Sequence, residues 1–145
     1  MSLFSLLSVS ASGMAAQRMR AGLLVENLAN AETTRTPEGG PYRRKDAVFT
    51  SQPADSPFAS VFRAELGALG TGVAVAEVVE DTRPPERRYL PGHPDADADG
   101  YVAFPNVNPA EDMVDLMSAT RGYQANVAAI SAVKEMIHRS IDLLR

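Results

Sequence analysis

From Asn108 to Leu144 the chain reads NPAEDMVDLMSATRGYQANVAAISAVKEMIHRSIDLL, and this stretch limits the possible folds more than any other. It is predicted to be one unbroken helix. Asn108 is a cap, Pro109 stands at the first helical position where its missing N–H costs nothing, and Glu111 follows three residues after the cap in a capping-box-like arrangement. Met113, Leu116, Thr120, Tyr123, Val127, Ile130, Lys134, Ile137, Ile141 and Leu144 recur at alternating steps of three and four, the spacing of a coiled-coil seam with two polar members. Met117, Val133, Met136 and Leu143 widen the stripe. At 1.5 Å per residue the helix is about 50 Å long, against a radius of gyration of about 13 Å for a compact 100-residue domain. It therefore needs another long helix, another subunit, or both.

All ten prolines lie between Pro37 and Pro109. Proline breaks helix interiors and marks loops and strand edges, so the chain divides into a head helix over 1–31, a strand-bearing middle over 32–107 and a tail helix over 108–145. In the head, Leu3, Leu7, Ser10, Met14, Gln17, Ala21, Leu24 and Leu28 repeat the three-four alternation. Gly13 and Gly22 weaken this helix by roughly 1 kcal/mol each relative to alanine, so it is marginal alone. Ala15, Gly22 and Ala29 form a small-residue stripe along which another helix can approach. Asn30 and Ala31 end the helix, asparagine tolerating a left-handed cap.

In the middle, a turn over Thr36 to Pro41 precedes a strand of mixed quality from Tyr42. Ser56 and Pro57 open a short helix with Phe58, Phe62, Leu66 and Leu69 on one face, closing at Gly70. The best strand is Gly72 to Asp81, rich in β-branched residues. Arg87 to Leu90 and Tyr101 to Phe104 are short strands flanking a turn over Pro91 to Pro94. The expected class is α+β: long amino- and carboxy-terminal helices as a coiled-coil-like pair, with a small β-rich domain between them.

Composition removes several function classes. There is no cysteine, hence no disulfide, thiolate metal site or cysteine nucleophile, and the net charge of −4 argues against a dedicated nucleic-acid binder. The segment LFSLLSVSASGMAA lacks the basic start of a cleaved signal peptide, and no apolar run approaches the roughly 20 residues that span a bilayer. Asp95, Asp97, Asp99 and Gly100 begin like a calcium loop, but position twelve is Asn106 rather than glutamate, so a polar turn is expected. Glu111 and Asp115 stand one turn apart, where with Asp112 they suit the positive helix start. His93 lies in a Pro-Gly-His-Pro turn and His138 near the tail end, neither with a sequence partner for a triad or a zinc site. Arg43, Arg44, Lys45, Arg83, Arg87 and Arg88 would form a basic face if their strands paired. No phosphate loop or nucleophile elbow is present, and the expectation is a protein without catalytic residues, metal or cofactor.

The two ends carry a resemblance. SGMAAQRMRAGLLVENLANAETT from Ser12 resembles the amino-terminal signature of the bacterial flagellar rod and hook axial proteins, with Leu28, Ala29, Asn30 and Ala31 matching its leucine-alanine-asparagine-alanine segment. HPDADADGYVAFPNVNPAEDMVDLMSATRGYQANVAAISAVKEMI from His93 is similar to the carboxy-terminal signature of the proximal-rod members of that family. The signatures include Asn27 and Asn30 at one end and Arg121, Tyr123, Gln124, Ala125 and Asn126 at the other. The resemblance implies a non-enzymatic building block whose terminal helices pack with those of neighbours into a helical tube, around which the middle forms an outer domain. Its implied partners are other copies of itself, other rod subunits, the membrane-ring and export-gate junction, and the flagellar type III export machinery, with no nucleic acid and no small-molecule substrate. Export without a cleaved signal and a basal-body location follow from the same resemblance. The alternative from another class is a soluble coiled-coil adaptor or export-associated binding protein. The resemblance does not extend to Arg35 or to Phe58–Leu69.

Two further expectations come from the helices themselves. Ser10, Gln17, Thr120, Lys134, Gln124 and Asn126 interrupt or flank the seams, where polar groups fix register and partner number at a cost in stability. A middle unit this small cannot cover two such stripes, so the terminal segments are expected to be partly disordered in the monomer and to order on assembly.

Overall fold

The computed structural model describes residues 3–53 and 71–143. Helix α1 runs Leu3–Ala29, strands β1 Lys45–Pro53, β2 Thr71–Glu80, β3 Glu86–Tyr89 and β4 Tyr101–Phe104 follow, and helix α2 runs Pro109–Asp142. The α+β class is as expected. The proposed short helix over Ser56 to Leu69, and Leu144, lie outside the described residues.

Helix α2 begins as its sequence dictates. Asn108 has extended backbone and its side chain accepts the Ala110 N–H, Pro109 follows at the first helical position, and Glu111 and Asp112 place negative charge at the positive end while Arg139 stands at the negative end. Helix α1 has none of these aids: no acid in its first turn and no base in its last. Glu26 even puts a carboxylate near its negative end, where Lys45 Nζ compensates at 2.7 Å. Its stability therefore depends on what packs against it.

The main partner is α2. Gly13 faces Asn126, Gln17 faces Gly122, and Arg20 bridges Asp115 at 3.2 Å, so the helices run antiparallel along nearly all of α1. A Cβ on Gly13 would stand 3.0 Å from Asn126 Oδ1, and one on Gly122 3.2 Å from Gln17 Cδ. Each glycine thus makes room for an amide side chain of the opposite helix. The small-residue stripe foreseen at Ala15, Gly22 and Ala29 lies on the exposed side instead, with nothing within 4 Å of a Cβ on Gly22. The close approach within the chain uses the other glycines.

Strands β1 and β2 form an antiparallel ribbon from Lys45 opposite Glu80 to Pro53 opposite Thr71, with a register shift after Val48 that leaves Ala76 unpaired, a β-bulge. β1 starts three residues later than the Tyr42 expected from sequence, because Tyr42 is taken up in a buried contact described below. The ribbon lies along α1: Val73 N–H donates to Ser12 Oγ at one end, and Lys45 meets Asn27 at the other. Ser12 to Asn27 is about 22 Å of helix and Val73 to Glu80 about 23 Å of strand, so β2 and α1 keep pace. Strands β3 and β4 pair separately, Glu86 with Phe104 through Tyr89 with Tyr101. Among the described residues the buried apolar ones are few: Ala16, Leu24, Tyr42, Val102, Phe104, Ala119 and Val133.

Candidate assembly surface

Two polar anchors hold ribbon and helices together at one end of the molecule. Asn27, 0% exposed, donates Nδ2–H to Lys45 C=O at 2.9 Å, while its Oδ1 accepts from Lys45 N–H at 3.0 Å and from the Tyr42 hydroxyl at 2.9 Å. One amide thereby satisfies both backbone groups of the first residue of β1. Burial and then the neighbouring Glu26 push the Tyr42 phenol up to about 12.

The second anchor joins the start of β1 to the start of α2. The Arg44 guanidinium donates to Asp112 Oδ1 at 2.9 Å and lies 3.5 Å from Asp46 and 3.9 Å from Asp115, which also holds Arg20. Asp112 is 1% exposed, and its Oδ2, like Arg44 Nε, makes no hydrogen bond among the described residues. Burial raises the Asp112 carboxyl above the usual range, with Arg44 opposing. Such a pair holds two elements in place more than it stabilises the fold.

Asn30 ends α1 by hydrogen bonding rather than through left-handed backbone. No described residue other than glycine has positive φ; Asn30 Nδ2–H donates to Glu26 C=O at 2.9 Å, and its Oδ1 accepts from Thr33 Oγ1–H. The foreseen left-handed asparagine cap is therefore corrected: the Glu26 carbonyl accepts from both the backbone N–H and the side-chain amide of Asn30.

Five of the six cations expected to make a basic face are paired with carboxylates: Arg44 and Lys45 with Asp112 and Glu26, Arg83 with Asp81, Arg87 with Asp97 and Arg88 with Glu86, while Arg43 is exposed with no ion pair among the described residues. The aspartate turn is also internally engaged. Asp97 Oδ1 accepts from the N–H groups of Asp99 and Tyr101, its Oδ2 takes Arg87, Gly100 turns the chain at φ 81°, and Asp95 accepts from Thr34. These carboxylates serve a polar turn feeding β4, and no metal-holding cluster of three such groups occurs among the described residues.

The seam residues divide by exposure. Leu24 is buried; Leu7, Met14, Leu28, Leu116, Ile130 and Ile137 are half-buried; Leu3, Met113, Tyr123, Val127 and Ile141 are exposed, Met113 at 58% and Ile141 at 55%. On α2 the residues that are fully buried are Asp112, Ala119 and Val133, each one position before Met113, Thr120 and Lys134 of the seam read from sequence. Of the family-signature residues, Asn27 is buried, Asn30 and Asn126 are half-buried, and Arg121 and Gln124 are exposed. Asn126 lies between the helices, its Nδ2–H on Gly122 C=O at 2.8 Å. Sequence reasoning missed the Arg44–Asp112 pair; the available signal was an aspartate in the first turn of a helix whose stripe passes through it.

What remains open is apolar and helical. Phe4, Met19 and Val25 on α1 and Met113, Val114, Met117, Val127 and Met136 on α2 are exposed, a surface that suits other helices better than water. No described helix is long and apolar enough to cross a membrane.

Residues 98–143 match the family model described as flagellar basal body rod FlgEFG protein C-terminal. The chain is 39% identical to the flagellar basal-body rod protein FlgC of Borreliella burgdorferi, covering 100% of this chain and 99% of that one. It is 41% identical to the protein of the same name from Bacillus subtilis, covering 99% of each. With that of Salmonella typhimurium it shares 39% identity over 99% of this chain and 98% of the relative.

Proposed function

The chain belongs to the family of the flagellar basal-body rod protein FlgC, and from that membership we propose how it builds the rod. It is a structural subunit of the bacterial flagellar basal body and serves motility. Its terminal helices form a coiled-coil-like pair and polymerise side by side with those of neighbours into the helical drive shaft, transmitting torque by packing rather than by chemistry. The segment between them forms the outer part. The neighbours are other copies, other rod subunits and the membrane-ring and export-gate junction, reached through the flagellar type III export machinery without cleavage of a signal.

The observation that carries this reading is the apolar stripe of α2, which α1 covers along one edge only, leaving Met113, Met117, Val127 and Ile141 exposed. Deletion of the gene, scored by swimming and by electron microscopy of purified basal bodies, tests it. Loss of motility with basal bodies that stop at the membrane ring is the expected result. Complete rods in the deletion strain would overturn it in favour of the soluble adaptor.

A further inference from the structure

The outward faces of the two helices differ in charge. Between Leu3 and Val25, α1 contains no carboxylate and two arginines. Arg20 is engaged with Asp115, whereas Arg18 is exposed and makes no ion pair among the described residues. Around Arg18 the exposed Ala15 and Gly22 leave the helix surface low, with open space above Gly22, and Met19 stands beside them. The first three turns of α2 show the opposite character. Glu111 is exposed and makes no ion pair among the described residues, its charge being felt by Arg83, which Asp81 holds; no cation occurs on α2 before Arg121, and the exposed Val114 stands one turn along on the same face. An exposed cation on one helix face and an exposed anion beside Val114 on the other complement each other in charge.

Resting on the rod reading above, we propose that the Arg18 face of α1 in one copy docks on the Glu111 face of α2 in a second copy of this chain. The antiparallel register excludes the same contact within one copy. Gly13 faces Asn126 and Gln17 faces Gly122, which sets Arg18 level with Arg121. Glu111 lies ten residues further along α2, about 15 Å away along the axis. Joining Arg18 to Glu111 between copies therefore shifts the second copy by about 15 Å along the helix direction. The contact uses different patches on the two copies and includes a translation, so it repeats without closing, as a helical rod requires.

The chain has no cysteine, which makes site-directed cross-linking clean. Basal bodies would be purified from cells expressing Arg18→Cys, Glu111→Cys or both, then treated with a bifunctional maleimide of span well below 15 Å and separated under denaturing conditions. The double variant is expected to give a ladder of linked copies and each single variant to stay monomeric. A charge exchange supplies the second readout: Arg18→Glu and Glu111→Arg should each reduce swimming several-fold, and the two together should restore most of it. Basal bodies that contain the double-cysteine chain yet yield no ladder would overturn the contact and leave the rod reading intact. Absence of the unsubstituted chain from basal bodies would overturn both.

Discussion

Asn27 and Tyr42 meet through a 2.9 Å hydrogen bond, the phenol donating to an amide oxygen that also accepts the Lys45 N–H. Since Asn27 is fully buried, no water replaces its bonds if it is removed. Asn27→Ala is expected to destabilise the monomer by about 2–4 kcal/mol, from the unpaired Lys45 backbone groups and the lost Tyr42 partner. Asn27→Asp, which sets a buried carboxylate oxygen against the Lys45 carbonyl, should cost at least as much. Urea unfolding followed by circular dichroism measures both.

The same contact predicts an alkaline limit. The Tyr42 phenol is raised from its ordinary value near 10 to about 12, so the stability it contributes is fully present below pH 10 and is lost as pH rises from 10 through 12. Two units correspond to roughly 2–3 kcal/mol. Tyr42→Phe should flatten this part of the stability profile while lowering stability at neutral pH. Absorbance titration near 295 nm, with unfolding at each pH, gives the comparison.

Arg44 and Asp112 are separated by 68 residues in sequence and by 2.9 Å in space. Arg44→Met strands the buried Asp112 carboxylate and should cost about 3–5 kcal/mol, whereas Asp112→Leu leaves Arg44 beside Asp46 and Asp115 and should cost less. The double variant should lose less than the sum, since neither charge is then stranded. A double-mutant cycle by chemical unfolding provides the coupling energy; strictly additive losses would mean that the pair does not act as a unit.

The two glycines of α1 have different surroundings. Gly22→Ala meets nothing and gains helix propensity, so it should stabilise the monomer by about 0.5–1 kcal/mol. Gly13→Val drives a branched side chain into the Asn126 amide, already 3.0 Å from a bare Cβ and held by the Gly122 carbonyl, and should destabilise it by about 1–3 kcal/mol. Thermal unfolding of the two variants should move in opposite directions.

Met117 and Val127 are exposed on α2. Met117→Asp and Val127→Asp should leave the unfolding free energy of the dilute monomer within about 0.5 kcal/mol of the parent, as surface changes do. Swimming should nevertheless fail, because each charge would be buried between helices of the assembled rod. Normal swimming with either variant would remove that residue from the packing surface. Amide exchange on the same dilute monomer tests the expectation that its ends are partly disordered; full protection of α1 and α2 would contradict it.

The helices were legible in the sequence because their signals are local. Absence of proline, a three-four apolar period, and Asn108-Pro109 at a helix start act within one or two turns, and β-branched Val73, Val75, Val78 and Val79 mark β2 in the same way. The signatures around Asn27 and Asn126 pointed to the family, although not to what those amides hold. Which edge of each stripe faces inward was not legible. A stripe wider than one seam admits several partner positions, and the antiparallel fit of Gly13 to Asn126 and Gln17 to Gly122 placed Ala119 and Val133 inside and Met113 and Tyr123 outside. The fate of the cations was equally hidden. Arg44 reads as one of a basic run, and only the fold brings Asp112 to it, because the energy of a charge depends on neighbours that the chain delivers from a distance. Periodicity and capping thus determined that the chain would make two long helices with apolar surface to share, while tertiary packing decided which part of that surface the molecule keeps for itself and which it leaves open to its neighbours.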